Sequence, residues 1–232
     1  MRIGLLGGTF NPIHNGHLYI AEAVQKKLNL DRILFIPSGR PPHKKEQEIP
    51  PAEHRLEMTR LALLNYPEFE LCDIEVKRPG KSYSVETVSE LTRRNPNDRL
   101  FFIIGADAFF DLPTWKEPER LLSLCDFIVI SRTGHPFSQL LTLPFFQNVD
   151  PVPLLELDRR EEGVVAIPIT SHTSIHLVSI PPSPISASDI RKQLSVGRVS
   201  KNLLPEAVAS YIISNKLYDS SVRPSIKEDH DS

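Results

Sequence analysis

The sequence is poor in cysteine, methionine and tryptophan. Its 232 residues include two cysteines, two methionines and one tryptophan. Cys72 and Cys125 lie far apart and outside any C-x-x-C spacing, so neither a zinc site nor a disulfide framework is indicated. Each cysteine stands in or beside an apolar stretch. A buried, reduced thiol is therefore the expected state of both.

Long apolar runs are also missing. No segment approaches the roughly 20 apolar residues of a membrane-spanning helix. The apolar stretch after Met1 and Arg2 is too short for the core of a signal peptide. We therefore expect a soluble, cytoplasmic protein without a membrane partner.

An excess of basic charge is absent as well. The chain has 27 lysines and arginines against 29 aspartates and glutamates, a formal net charge of −2 at pH 7. A protein that binds nucleic acid by broad neutralisation of phosphates normally shows a basic surplus or stripe. We expect no nucleic-acid partner, and any bound anion must be held by local groups.

What the sequence does contain is a regular alternation of short apolar runs and helical patterns. This alternation predicts βαβ units and an α/β fold, a Rossmann-like, doubly wound and mainly parallel sheet flanked by helices. Predicted strands are Arg2–Leu6, Arg32–Ile36, Glu70–Val76, Leu100–Ile104, Phe127–Ser131 and His176–Ile180. Predicted helices are His17–Leu28, Ala52–Leu64, Val85–Arg94, Glu117–Leu124, Ser188–Leu194 and Pro205–Asn215.

No long linker divides the chain, so we predict one domain over residues 1–218. Its last part, about 185–218, is helical, and residues 219–232 form a polar tail. Two stretches interrupt the alternation. Residues 38–51 are rich in proline and charge and are expected to form a surface loop. Residues 133–174 are too many for a structureless loop, so we expect a helix there whose position the pattern does not define.

The segment GLLGGTFNPIHNGH, residues 4–17, carries the first chemical signal. A strand ends at Gly7 and Gly8, where the missing side chains let a ligand approach the backbone. A helix then begins, and its free N–H groups and dipole favour a phosphate. His14 and His17 can present ring nitrogens to that site. A simple glycine turn beside two surface histidines would have the same sequence pattern. Neither G-x-G-x-x-G nor a P-loop occurs in the chain.

A second segment, ISASDIR, reads as the start of another helix. Ser186 or Ser188 can cap it, Asp189 suits its first turn, and Arg191 emerges near its positive end. A capped surface helix would have the same pattern. Together with the first segment, however, this helix could hold one polyphosphate between two anion-binding ends.

These two segments carry a resemblance to a known family. GGTFNPIHNGH is similar to the N-terminal motif of the nucleotidyltransferase superfamily, with H-x-G-H at His14 to His17, and ISASDIR resembles its late signature. Three further segments, IPSGRPPHKK, GKSYSVET and IGADAFFDLPTWKEPERLL, narrow the resemblance to the nicotinate-nucleotide adenylyltransferases. The similarity extends from about Arg2 to Tyr218.

The resemblance implies a reaction. The phosphate of nicotinate mononucleotide attacks the α-phosphorus of ATP, and deamido-NAD and pyrophosphate are formed without a covalent enzyme intermediate. Mg²⁺ is expected to act on the phosphate oxygens, and no side chain is assigned as a metal ligand. Catalysis then consists of aligning two anions and stabilising charge on the transferred phosphate.

The resemblance also implies roles for individual residues. The catalytic residues would be His17, His14 and Arg191. The ATP site would comprise Gly8, Thr9, Phe10, His14, His17, Lys44, Gly105, Asp107, Ser186, Ser188 and Arg191. The nicotinate mononucleotide site would comprise Tyr83, Ser84, Trp115 and Arg132. The single tryptophan could equally be a core or interface residue.

The chain departs from the family pattern at a few positions. The first motif commonly has aspartate where this chain has Asn11, and the late one commonly reads Ser-Thr where this chain has Ala187 and Ser188. The segment between Arg132 and Ile185 is longer than is usual. His172 and His176 have a helical metal-ligand spacing, but the residues between them favour a strand, so we expect no metal site there.

Two alternatives stay open at this point. A sibling nucleotidyltransferase would use nicotinamide mononucleotide or another phosphorylated acceptor and share both end motifs. A non-catalytic nucleotide sensor would keep the fold and the binding residues. Whether identical chains assemble into an oligomer is also left open by the sequence.

Overall fold

Seven strands form one sheet in the computed structural model, which describes residues 1–42, 49–159, 163–198 and 202–219. The strands are β1 Arg2–Gly8, β2 Arg32–Pro37, β3 Phe69–Leu71, β4 Arg99–Gly105, β5 Asp126–Ile130, β6 Gly163–Pro168 and β7 Ser174–Ser179. Their order is β3-β2-β1-β4-β5-β7-β6. All neighbouring strands are parallel except β6 and β7. The predicted mainly parallel, doubly wound sheet is confirmed.

Helices cover both faces of this sheet. They are α1 Asn15–Leu28, α2 Ala52–Ala62, α3 Ile74–Lys77, α4 Ser84–Arg94, α5 Ala106–Phe110, α6 Pro118–Leu124, α7 Pro151–Asp158, α8 Ala187–Leu194 and α9 Glu206–Ser214. The six helices predicted from the sequence are confirmed, each with ends within two residues of the prediction. Among the described residues, no helix combines the length and the apolarity needed to cross a membrane.

The two faces of the sheet alternate strictly along each strand. In β4, Phe102 and Ile104 join the core cluster that contains α4 and α6, whereas Phe101 and Ile103 join the cluster that contains α1 and α2. This period of two is what a strand buried on both sides requires. Both cores meet at the sheet, so the strand ends are held rigidly.

The predicted third strand is wrong in its second half. β3 ends at Leu71, and Ile74 begins the short helix α3. The letters alternate as in a strand, but a period of two over so few residues does not distinguish a strand from a helical turn. The turn buries Ile74 and directs the carboxylate of Glu75 to the hydroxyl of Thr87 at 2.7 Å. In a continued strand, the side chains of Ile74 and Glu75 would point to opposite faces of the sheet.

The expected helix within 133–174 is present as α7, but the sequence missed the strand β6 that follows it. The Asp150 carboxylate caps α7 by accepting from the Val152 N–H. The Asp158 carboxylate accepts from the backbone N–H groups of Phe137 and Ser138. The long segment is therefore folded onto the sheet. The sequence also missed α5, which is only five residues long.

The cysteines fit their predicted state. Cys125 is buried, Cys72 is half-buried, and both are free thiols. Burial raises the pKa of both thiols, so they stay protonated at neutral pH. Two predictions fall on residues that the structure does not describe. They are the place of Lys44 in the ATP site and the polar tail over residues 220–232.

Candidate active site

The candidate site lies at the carboxyl edge of the sheet, where β1 and β4 are neighbours. From β1 the chain proceeds outward to β2 and β3, and from β4 it proceeds in the other direction to β5. Ligands of doubly wound sheets bind where the strand order reverses in this way. A cavity of about 450 Å³ opens there. Its lining includes nine predicted site residues, namely Gly8, Thr9, His17, Tyr83, Ser84, Gly105, Asp107, Trp115 and Arg132.

Of the other predicted residues that the structure describes, Phe10, His14, Ser186, Ser188 and Arg191 do not line this cavity. Phe10 and His14 are buried directly behind His17. The Phe10 ring meets the His17 ring edge-on with centroids 5.1 Å apart, and the His14 ring stacks on His17 at 3.8 Å. Both residues therefore support the side chain that reaches the cavity wall.

The histidine pair is held by the start of α1. The backbone N–H of His14 donates to Nδ1 of His17 at 3.2 Å, so that nitrogen is an acceptor. In a neutral ring the proton is then on Nε2, which is a hydrogen-bond donor. Nδ1 of His14 is buried and has no partner among the described residues.

Burial keeps both rings uncharged. It lowers the pKa of His14 to about 4, with a contribution from the positive charge of Arg132. It lowers the pKa of His17 well below its ordinary value, with contributions from His14 and Arg132. In the ligand-free protein at neutral pH, the pair supplies N–H donors and not cationic charge.

Phe10 adopts an unusual backbone conformation. Its φ is +46°, in the left-handed region that large side chains rarely enter. The ring is fixed between Phe35, with centroids 5.9 Å apart, and His17. Packing thus stabilises a backbone turn that ordinary conformational preference disfavours, as is common beside functional sites.

The late signature approaches the first one from the other side. Nη1 of Arg191, in α8, donates to the backbone carbonyl of Asn11 at 2.8 Å. Ser186 occupies the N-cap position, but its hydroxyl makes no capping bond and instead lies 2.7 Å from the hydroxyl of Ser188. The expectation that one of these serines caps the helix with its side chain is wrong.

Asp107 and Arg132 face each other above Gly105. Nε of Arg132 is 3.6 Å from Oδ1 of Asp107, and both side chains are about half exposed. A Cβ atom at position 105 would collide with the Asp107 carboxylate and lie 2.8 Å from Nε of Arg132. Any larger residue at the end of β4 would therefore displace this charged pair from its present arrangement.

On the opposite wall, Trp115 is half-buried. Its indole meets the Phe102 ring edge-on with centroids 6.3 Å apart, so it packs against the core and also borders the cavity. Tyr83 and Ser84 stand at the start of α4, and Nζ of Lys116 lies 4.7 Å from the centre of the Tyr83 ring. An aromatic face, hydroxyl groups and a helix start are thereby brought together.

Sequence reasoning missed Arg55, which is 1% exposed. Its guanidinium donates to the backbone carbonyls of Pro50, Thr9 and Gly39. The signal was present in the pattern, because the buried positions of α2 are 55, 58, 59 and 62, the apolar stripe of a helix. A charged residue on such a stripe indicates a buried polar contact.

The two histidines with helical metal-ligand spacing lie in different environments. His172 is exposed in the turn between β6 and β7, whereas Nε2 of His176 lies 3.7 Å from Oδ1 of Asp126. In the described part of the chain, no group of three or more His, Cys, Asp or Glu side chains is arranged to hold a metal ion.

Comparison with known proteins places this geometry in context. Residues 5–193 match the family model described as cytidylyltransferase-like. A "probable nicotinate-nucleotide adenylyltransferase" of Moorella thermoacetica is 41% identical over 218 residues, which cover 94% of this chain and 91% of that protein. A protein of the same name from Geobacter metallireducens is 40% identical over 94% of this chain and 98% of its own length.

Among solved structures, the chain resembles the Plasmodium falciparum nicotinic acid mononucleotide adenylyltransferase complexed with NaAD. The TM-score is 0.68 at 20% identity, over 94% of this chain and 97% of that one. At this identity the likeness shows the fold alone.

Proposed function

Because the chain belongs to the cytidylyltransferase-like family and, within it, to the nicotinate-nucleotide adenylyltransferases, we propose that it transfers the adenylyl group of ATP to nicotinate mononucleotide. The products are deamido-NAD and pyrophosphate, a step of NAD synthesis. One observation carries the proposal: a single cavity borders the Gly8–Thr9 backbone and His17 on one wall and Tyr83 and Trp115 on the other. An ATP and a pyridine nucleotide can thus meet there.

The first wall suits the reacting phosphate. An oxygen of the acceptor phosphate forms the new bond to the α-phosphorus, and the bond to the β-phosphate oxygen breaks with its electron pair leaving on pyrophosphate. The attacking oxygen is already ionised, so no general base is needed. Nε2–H of His17 donates to an oxygen on which charge builds up, while the dipole of α1 adds to the same effect.

Arg191 does not line the cavity, but it contacts the first motif from α8. Its bond to the Asn11 carbonyl places a permanent cation next to the first motif. We assign Arg191, with the Ser186 and Ser188 hydroxyls, to the outer phosphates of ATP, where the charge of the leaving pyrophosphate must be balanced.

We treat Mg²⁺ as part of the ATP substrate. The described residues offer no cluster of three metal ligands, and Mg²⁺ commonly binds to phosphates and water with few protein ligands. Its chemistry in the site is to neutralise charge on the phosphate oxygens.

The second wall suits a pyridine carboxylate. The indole of Trp115 can lie against the aromatic ring, and the hydroxyls of Tyr83 and Ser84 can donate to the carboxylate. The start of α4 adds to these donors, because the first N–H groups of a helix have no partners within it. Donors of this kind favour a carboxylate over an amide. Arg132 is assigned to the acceptor's phosphate.

The proposal is tested by incubating the purified protein with ATP, Mg²⁺ and either nicotinate or nicotinamide mononucleotide. We expect pyrophosphate and a dinucleotide from the acid, and a kcat/KM for the amide at least about tenfold lower, since one charge-assisted hydrogen bond contributes about 1.5–3 kcal/mol. A preference for the amide would reassign the acceptor. Nucleotide binding without any dinucleotide would refute the assignment and leave two alternatives, the sensor and a sibling enzyme that uses a different phosphorylated acceptor.

A further inference from the structure

Arg55 is a cation almost completely enclosed by the protein. Its Nε donates to the Pro50 carbonyl at 3.1 Å, Nη1 to the Thr9 carbonyl at 2.9 Å and Nη2 to the Gly39 carbonyl at 2.8 Å. Three neutral carbonyls, with no carboxylate among these contacts, replace the water that the guanidinium loses. Burial lowers its pKa, and the nearby carboxylates of Glu53 and Glu75 counteract that effect.

Such an arrangement is a poor way to gain stability. Removing a guanidinium from water is costly, and well-packed apolar side chains often stabilise a core equally well or better. The buried stripe of α2 otherwise carries Met58, Thr59 and Ala62. The groups that Arg55 holds are therefore the place to look for its role.

The first of these groups belongs to the loop after β1. In a planar trans peptide, the carbonyl of one residue and the N–H of the next point in opposite directions. By accepting from Arg55, the Thr9 carbonyl directs the Phe10 N–H away from the guanidinium. Phe10 is also the residue with φ of +46°, so this peptide orientation depends on contacts that hold it.

The neighbouring carbonyls of the same loop are bound as well. The Gly8 carbonyl accepts from the Ser38 N–H at 2.8 Å, and the Asn11 carbonyl accepts from Arg191. Carbonyl oxygens repel a phosphate, whereas N–H groups bind it. With the carbonyls of Gly8, Thr9 and Asn11 engaged by donors, the loop can offer its N–H groups to an anion.

The second group, Gly39, connects Arg55 to the acceptor wall. The Gly39 N–H donates to the Ser82 hydroxyl at 3.0 Å, and the Ser82 N–H donates to the Arg40 carbonyl at 2.9 Å. Ser82 directly precedes Tyr83. A continuous path of hydrogen bonds thus runs from Thr9 through Arg55 and Gly39 to the segment that begins α4.

We propose that Arg55 is a positioning residue for adenylyl transfer, which keeps the Thr9–Phe10 peptide turned so that the loop after β1 presents N–H groups to ATP. Arg55 reaches the acceptor wall only indirectly, through Gly39 and Ser82, so its main effect is on the ATP loop. The inference rests on the proposed function for its reaction, and on the hydrogen bonds above for its geometry.

The test compares Arg55→Met and Arg55→Lys with Arg60→Met. Arg60 lies on the same helix but is half exposed and paired only with Glu57 in the described contacts. For Arg55→Met we expect kcat/KM for ATP to fall about 10- to 100-fold, the usual cost of losing a group that orients a binding site. The KM for the acceptor should change much less. Arg55→Lys keeps the charge but cannot reach three carbonyls, so it should recover only part of the loss.

Binding of α,β-methylene-ATP, which cannot donate its adenylyl group, is measured on the same variants by calorimetry. Circular dichroism and the unfolding midpoint report whether each variant is folded, and Arg55→Lys replaces Arg55→Met if the latter is not. Weaker analogue binding by a folded Arg55 variant, with Arg60→Met equal to wild type, supports the proposal.

Two results would overturn it. Kinetics and analogue binding of the Arg55 variants equal to those of Arg60→Met would show that the loop keeps its conformation unaided. Equal losses for ATP and acceptor, in step with a lowered unfolding midpoint, would show a purely structural role. A wild-type protein that forms no dinucleotide would refute the proposed function instead, and analogue binding would still decide the role of Arg55.

Discussion

At the scale of single residues, burial decides what the two histidines can do. The two rings stack on each other, and Phe10 packs against His17. Burial and the nearby charge of Arg132 lower the pKa of both rings, so neither takes up a proton at neutral pH. A neutral Nε2–H donor binds a phosphate oxygen without a strong ion pair in the ground state. It can therefore strengthen its bond as charge develops in the transition state.

The depressed pKa of His14 predicts a pH dependence of stability. Above pH 6.5 the ring is neutral in both states, so the folded form keeps its full stability. Between pH 6.5 and about 4 the unfolded chain takes up a proton that the folded one does not, and stability falls. The loss at pH 4.5 amounts to about 2–3 kcal/mol from this ring.

Denaturant unfolding of wild type, His14→Asn and His172→Asn at pH 8 and pH 4.5 checks this prediction. His14→Asn should lose less stability on acidification than wild type. His172→Asn, which changes an exposed turn, should follow wild type. Parallel losses in wild type and His14→Asn would contradict the assigned burial effect.

At the scale of elements, Asp126 links the amino ends of the three strands β4, β5 and β7 by hydrogen bonds. It opens β5, accepts from Nη2 of Arg99 in β4 at 2.9 Å and accepts from the Ser174 N–H of β7 at 2.8 Å. Burial alone would raise the pKa of its carboxyl, but the nearby His176 ring and the bonds from Arg99 and the Ser174 N–H outweigh burial and hold the pKa at about 2. These contacts lie at the sheet edge opposite the cavity.

Asp126→Asn should therefore reduce stability and leave catalysis intact. We expect a loss of about 2–3 kcal/mol at pH 7, somewhat less than the roughly 3–5 kcal/mol of a broken fully buried pair, because Arg99 is half exposed. Since the carboxyl pKa is depressed, this contribution is present above pH 3.8 and disappears as the pH falls toward 2.

Urea unfolding and steady-state kinetics of the same variant measure both effects. Glu90→Gln is the matched control, because it breaks solvent-exposed pairs with Arg93 and Arg94, and exposed pairs contribute little to stability. A changed KM or kcat in folded Asp126→Asn would show that the two sheet edges are coupled.

At the scale of the whole molecule, the site joins segments far apart in the chain. The bond from Arg191 to Asn11 links α8 to the loop after β1 across 180 positions of sequence. ATP that contacts both should stabilise them together. Saturation with α,β-methylene-ATP at about 100 times its Kd adds about 2.7 kcal/mol to states that require an intact site.

Hydrogen exchange read out by mass spectrometry tests this coupling. We expect exchange to slow by up to about 100-fold in residues 8–17 and in residues 187–194 at the same ligand concentrations. Residues 95–98, at the amino edge of the sheet, serve as the unaffected reference. Protection of the first segment alone would show that α8 does not contribute to the nucleotide site.

The sequence by itself determined the fold class, the positions of most helices and strands, and the two end motifs. These features can be predicted from local periodicity and short motifs. A strand buried on both faces requires a run of apolar residues, and a helix start requires particular residues next to one another. The segments that resembled a family also named nine of the residues that line the cavity, although Phe10, His14, Ser186, Ser188 and Arg191 lie outside its lining.

Only the tertiary structure decided the protonation of His14 and His17, the end of β3 at Leu71, the place of β6 and the contacts of Arg55. Each depends on residues distant in sequence, since burial and hydrogen-bond partners come from elements that meet only in the folded chain. The motif of glycines and histidines can be recognised from residues 4–17 alone. The arginine that orients their backbone lies on another helix, and only folding brings the two together.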